Sequence, residues 1–343
     1  MTAKTPKFAF VTKRTPSVKI SLEKHINEFL ETKRLAKRSP KTILAYDQVL
    51  SQFRKWYDER GDSTITTDLL REYIAYLSFE KVRWDDHPTS PNGEVGLTPR
   101  TVNNVIRNMR VFFNYLVHER ITKESPMNAV DYQTEEKETF ETFVDSDVIK
   151  LLGAPNRRVY TGLRDYCLML VLCDCGFRIK ELTSLKVSDV DFRLRQITVR
   201  AEVSKTKTTR VAPISQKTTK ELENLISFIN VDPDDYLWLT QFGERYLGGS
   251  FAKMLKLYAK RAGVDGPRVS PHTFRHYFAI KFLREGGDLF ALSRILGHTS
   301  LDVTQIYLKY ASKDLHDQHD KASPVASLLD AGNEKKRGKM KFR

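Results

Sequence analysis

Cysteine is scarce in this chain. Of 343 residues only Cys167, Cys173 and Cys175 are cysteines, and all three sit in one apolar run. A disulfide framework is not expected from them, and their spacing matches no metal-binding motif, so buried free thiols are predicted. Long hydrophobic runs are also missing. No apolar stretch reaches about 18 residues, and the start lacks a signal-peptide pattern, so a soluble, cytoplasmic protein is expected. Acid is absent from residues 1–20, which hold Lys4, Lys7, Lys13, Arg14 and Lys19 without helical periodicity. That segment reads as a loose basic arm, either solvated or in contact with a polyanion.

What is present points the same way. The net charge is +14, which favours a polyanionic partner, and the 40% hydrophobic content is ample for two packed domains. Residues 22 onward read as helix, with Ile26, Phe29 and Leu30 on one face. Ser39-Pro40 opens a second helix whose stripe is Tyr46, Leu50, Phe53 and Tyr57, and a third follows Thr67. Residues 84–96, rich in Pro, Gly, Asn and Asp, read as an exposed loop. Thr98-Pro99 then starts a helix that turns Val102, Val105, Ile106, Met109, Phe112, Phe113 and Leu116 inward. Its other residues include Arg100, Asn103, Asn104, Arg107, Asn108 and Arg110, a face without acid. Arginines with amides on one helix face suit phosphates and base edges of DNA in a major groove.

Around residues 131–142 the pattern lapses and turns acidic, which suggests an interdomain linker with its boundary near 138. The expected organisation is an arm at 1–20, a helical DNA-binding domain at 21–137, a second domain at 138–322 and a terminal segment with a basic tail at 323–343. The second domain opens with a short helix at 146–152, followed by a run at 163–176 that is apolar almost all round and should be its buried central helix. Arg178 emerges just after Gly176, and Glu181 stands one helical turn on, placed to orient its guanidinium. Alternation over 195–203 and 209–214 predicts a β-hairpin whose tip holds Lys205 and Lys207.

Residues 270–307 read as three short helices carrying two histidines of one turn, an arginine, a third histidine and a tyrosine. Ser270 caps the first, which holds His272, Arg275 and His276. Asp288 caps the second, which ends at Gly297 before His298. Ser300 can cap a third that carries Val303, Ile306 and Tyr307. A zinc site on His272, His276 and His298 is disfavoured because Arg275 would repel the cation and the usual glutamate base is absent. Histidine, arginine and tyrosine without carboxylates suit an anion, phosphate first.

In this order and at these spacings the motifs resemble the tyrosine recombinases of the phage integrase and Xer type over residues 22–312, most strongly in the second domain. The first box of that family stands as Gly176-Phe177-Arg178-Ile179-Lys180-Glu181-Leu182. The hairpin lysine matches Lys205, with Lys207 as the alternative. The second box is His272-Thr273-Phe274-Arg275-His276, the Leu-Gly-His motif is Leu296-Gly297-His298, and the nucleophile is Tyr307, with Tyr310 as its rival. The loop at 84–96 looks longer than is usual there.

The resemblance implies a mainly α fold with a small antiparallel sheet, in which a helical core-binding domain and a mixed catalytic domain form a clamp around double-stranded DNA. It implies site-specific recombination through a 3′-phosphotyrosyl link and a Holliday junction, by a homotetramer with a dimer on each site, in a nucleoid-associated cytoplasmic protein. Arg178 and Arg275 would clamp the phosphate, Lys205 would protonate the leaving 5′ oxygen, and His298 would hydrogen-bond the phosphate. Glu181 would support Arg178, and His272 is the candidate base for Tyr307. Neither a metal nor another cofactor is called for, since the covalent link conserves the bond energy. A type IB topoisomerase and a DNA-binding regulator without catalysis are the alternatives.

Overall fold

Short polar side chains set many of the helix starts. Ser21, Ser39, Thr66, Ser215, Ser270 and Asp288 each accept a hydrogen bond from a main-chain N–H of the turn that follows, which satisfies a donor the helix itself leaves open. The computed structural model describes residues 16–83, 93–135, 141–229, 231–266, 268–311, 319 and 323–325. Most of the basic arm, most of the loop at 84–96, the middle of the linker and nearly all of the terminal segment and tail lie outside these residues. The chain divides into two compact units, Met1–Glu138 and Thr139–Arg343.

In the first unit, strand β1 (Ser17–Val18) precedes helices α1 (Leu22–Leu35) and α2 (Pro40–Arg60). Strand β2 (Ile65–Thr66) leads into α3 (Thr67–Phe79), and α4 (Pro99–His118) closes the bundle. Phe29 is fully buried and meets Tyr46, Phe112 and Tyr115 edge-on, with ring centroids 5.2, 5.5 and 5.3 Å away. Phe53 does the same for Tyr73 and Phe113. β1 pairs antiparallel with β2, Ser17 opposite Thr66, and Val18 is buried. The end of the expected loose arm is therefore ordered, because Val18 has a core to enter.

The second unit is built around α6 (Tyr160–Cys175), which follows α5 (Asp145–Gly153) and is buried on nearly every face. The helix starts at Tyr160, three residues before the apolar run that predicted it. A one-turn helix α7 (Ile179–Leu182) leads to the antiparallel sheet of β3 (Val190–Asp191), β4 (Gln196–Val199) and β5 (Arg210–Pro213), with β4 central. Val190 lies opposite Ile197, Ile197 opposite Ala212 and Val199 opposite Arg210. The hairpin is shorter than its alternation implied. Val203 N and Ser204 N both donate to Arg200 O, and Thr209 Oγ1 takes Ala201 N, so residues 200–208 fold into turns instead of pairing.

Helices α8 (Gln216–Ser227), α9 (Gly248–Ala262) and α10 (Pro271–Arg284) complete the wall, and α6 packs on both α8 and α10. Trp238, fully buried, donates its indole N–H to Leu182 O at 2.7 Å. Then come α11 (Leu289–Leu296), α12 (Asp302–Gln305) and α13 (Leu308–Ala311). The expected third helix of residues 270–307 is thus broken, and Tyr307 sits in the break. Cys167 and Cys175 are buried and Cys173 partly so, all as free thiols. Among the described residues no helix is long and apolar enough to cross a membrane.

Because Phe29 holds the aromatic centre of the first unit, Phe29→Ala should destabilise that unit by about 3–5 kcal/mol. Urea unfolding followed by tryptophan fluorescence measures the loss.

Candidate active site

Two helix ends and one strand converge in the second unit. α6 stops at Gly176, which is left-handed (φ 57°), and a Cβ there would stand 2.5 Å from the Phe278 ring. α11 stops in the same way at Gly297 (φ 65°), where a Cβ would meet the Arg210 side chain at 2.9 Å. Carbonyls at these two helix ends face Arg275 of α10. Its Nη1 donates to Gly176 O at 2.7 Å and its Nη2 to Leu296 O at 2.9 Å. Arg275 is only 2% exposed, and burial, with the charge of Arg178, draws its pKa down to about 10.

His298 Nε2 lies 2.8 Å from Arg275 Nη2, and its Nδ1 lies 2.7 Å from Thr304 Oγ1. A guanidinium only donates, so Nε2 must accept, and Nδ1 carries the proton to Thr304. Burial, then the cations Arg275, Arg178 and Arg210, bring His298 to about 4, so it is neutral near pH 7. The contact this geometry gives His298 is one that holds Arg275 in place.

Arg178 leads into α7, where Glu181 is buried. Glu181 accepts from Arg178 N at 3.0 Å and from Arg178 Nη1 at 3.1 Å. From β5, Arg210 adds Nη1 at 3.3 Å and Nη2 at 2.7 Å to the same carboxylate, and its Nε donates to Ile295 O. Burial alone would raise the Glu181 carboxyl, but the hydrogen bonds and charges of Arg210 and Arg178 outweigh it and hold the pKa below the ordinary value. Two arginines thus share one acid, which leaves the pocket cationic.

Tyr307 is 3% exposed, and His276 Nδ1 lies 3.0 Å from its hydroxyl. Burial raises the phenol pKa against the opposing pull of Arg275 and Arg178. His272 stacks on His276, centroids 5.2 Å apart and planes 24° from parallel. Its own pKa is lowered by burial and then by Arg275, Arg178 and Lys205, so its charged neighbours are the cations. Lys205 itself is exposed in the turns that end the hairpin. The imidazole hydrogen-bonded to the tyrosine is His276, one turn beyond His272, the ring named as candidate base from the sequence. One further turn along α10 decides which ring meets the phenol.

The family model described as phage integrase family matches residues 142–314, and that of a phage integrase N-terminal SAM-like domain matches residues 26–123. Tyrosine recombinase XerD of Pseudomonas putida is 32% identical over 305 residues, spanning 86% of this chain and 96% of the relative. The chain belongs to the phage integrase family of tyrosine recombinases. Its fold is shared with solved structures of low identity. The Tn1549 transposon integrase in complex with a circular intermediate DNA aligns with TM-score 0.68 and 17% identity, covering 90% of this chain and all of that one. A lambda integrase dimer bound to a core site aligns with TM-score 0.64 and 15% identity, covering 83% and 97%.

In this recombinase the second unit brings Arg178, Glu181, His272, Arg275, His298 and Tyr307 into one cluster, with the charge of Lys205 acting on His272. In the first unit the six polar residues of α4 divide. Arg100, Asn104 and Arg107 are exposed and Asn108 is half-buried. Asn103 is buried and binds Gln133 and Glu135, while Arg110 donates to Val130 O and lies over the Tyr132 ring, 4.3 Å from its centroid. Positions 103 and 110 lie two turns apart on one stripe of the helix, and the segment at 130–135 covers that stripe. Arg210 and Thr304 were not singled out by sequence reasoning, and His276 was named in the cluster without a role in the chemistry. Arg210 had a readable sign: it shares the inward side of β5 with buried Ala212.

Glu181→Gln should cost about 3–5 kcal/mol, since two guanidinium groups lose their acid. The carboxyl is held below its unfolded pKa, so its contribution is full above the unfolded value and fades as pH falls through the folded one. Urea midpoints of wild type and variant should differ most near neutrality and converge in acid.

Proposed function

We propose that this tyrosine recombinase cuts and rejoins double-stranded DNA at specific sites, with Tyr307 as the nucleophile. One observation carries the reading: the Tyr307 phenol lies in the same buried cluster as the Arg275 guanidinium, with His276 at its oxygen. An in-line attack on a phosphodiester builds charge on the non-bridging oxygens, and Arg178 and Arg275 are fixed donors for it. His272, set among three cations, hydrogen-bonds the phosphate, His298 keeps Arg275 in place, and Lys205 gives the leaving 5′ oxygen its proton. The strand is held meanwhile as a 3′-phosphotyrosyl ester, so the reaction calls for neither metal nor nucleotide.

Relatives support the partner. The neighbours of similar fold include a transposon integrase solved with a circular intermediate DNA, the XerH site-specific recombinase bound to difH substrate, and a lambda integrase dimer on a core site. For this protein the reading is a dimer on each site and a homotetramer across two sites, passing through a Holliday junction, in the nucleoid region of the cytoplasm. The task is integration or excision, transposition, or dimer resolution. Arg100, Asn104, Arg107 and Asn108 of the 21–137 domain contact the duplex, and the 138–322 domain performs the chemistry.

Tyr307→Phe should bind duplex DNA with unchanged affinity and form no covalent adduct; an adduct at wild-type yield in denaturing gels refutes the assignment. Arg107→Ala should weaken binding across all sequences and lower the salt dependence by about one phosphate contact, measured by titration at several salt concentrations.

A further inference from the structure

We propose that His276 is a further catalytic residue, the base that takes the Tyr307 proton during strand cleavage and returns it during resealing. This rests on the reading of Tyr307 as the nucleophile. His276 Nδ1 is 3.0 Å from the phenol oxygen, and the two rings are tilted by 50°, so a ring nitrogen and not a ring face meets the hydroxyl. Arg275 also hydrogen-bonds that oxygen, and a guanidinium has no acceptor, so the phenol proton cannot be directed at it. The imidazole nitrogen is the acceptor for it, which fixes His276 as the tautomer protonated on Nε2.

Two surroundings favour this role. His276 is brought to about 4 by burial, then by His272 and Arg275, so its Nδ1 lone pair is open near neutral pH. A phosphate over Arg275 offsets that cation's field and makes His276 a stronger base when substrate is in place. His272 has different company, the three cations Arg275, Arg178 and Lys205, which suits a donor to phosphate. In cleavage the bond from Tyr307 Oη to phosphorus forms and the bond from phosphorus to the 5′ oxygen breaks. The phenol proton moves to His276 Nδ1, and the leaving oxygen takes a proton from Lys205. Resealing reverses each transfer.

The test uses the full chain and a duplex that the wild-type protein selects covalently from a pool of nicked random-sequence duplexes. His276→Gln keeps a hydrogen-bonding group but accepts no proton. It should bind the duplex normally and form adduct about 10²- to 10⁴-fold more slowly. His276→Ala should be similarly slow and regain rate as imidazole is added. Adduct formation by His276→Gln within about threefold of wild type, or no response of His276→Ala to imidazole, overturns the role while the nucleophile stands. A wild-type protein that captures no duplex removes the nucleophile reading itself. Nitrogen NMR of histidine-labelled wild-type protein decides independently of variant folding: an Nε2–H tautomer at His276 supports the base, and an Nδ1–H tautomer overturns it.

Discussion

A guanidinium taken out of water with no acid among the described residues bound to it is the constraint on which the second unit depends. Arg275 is 2% exposed, and its hydrogen bonds go to two main-chain carbonyls, an imidazole and the Tyr307 phenol. Burying a cation costs several kcal/mol unless good partners replace water. Here the partners are dipoles, so the charge is held but not cancelled. The nearby carboxylate, Glu181, is bound to Arg178 and Arg210. The site is positive and its donor geometry is already set, which under the proposed reaction leaves little reorganisation for the transition state.

The carbonyls that hold Arg275 come from the places where helices α6 and α11 end. A helix C-terminus carries partial negative charge, and both ends are turned by a left-handed glycine, which lets the chain leave without a Cβ in the way. At Gly176 the space a Cβ would need is filled by Phe278 of α10, and at Gly297 by Arg210 of β5. The same glycines that stop the helices therefore permit the close packing of α10 and β5 on the site.

The cluster was legible because its residues follow signals at helix ends and starts: Arg178 after Gly176, His298 after Gly297, and Arg275 behind a Ser-Pro start. Core helices were legible from periodicity, as with Leu50 and Phe53 in α2. What was hidden depended on distance or rotation. Arg210 finds Glu181 across 29 positions of chain. The choice between His272 and His276 is fixed by how α10 is rolled against Tyr307, and Asn103 was read as surface because its partners, Gln133 and Glu135, lie in a segment with no regular structure. The turns at 200–208 replaced a strand because local main-chain bonds to Arg200 O won over pairing, a competition that alternation of side chains does not register.

Tyr307 lies between two one-turn helices, tied locally by Tyr307 N to Thr304 O and by Tyr310 N to Tyr307 O. A tyrosine in the middle of a long helix would be fixed to the whole rod; this one has regular helix for only one turn on either side. Local opening here breaks a few main-chain bonds and the phenol's contacts with His276 and Arg275, and exposes one aromatic ring, less than the unfolding of the unit. The main-chain support of the phenol is thus separate from that of the arginines, which rest on the ends of α6 and α11 and on Glu181.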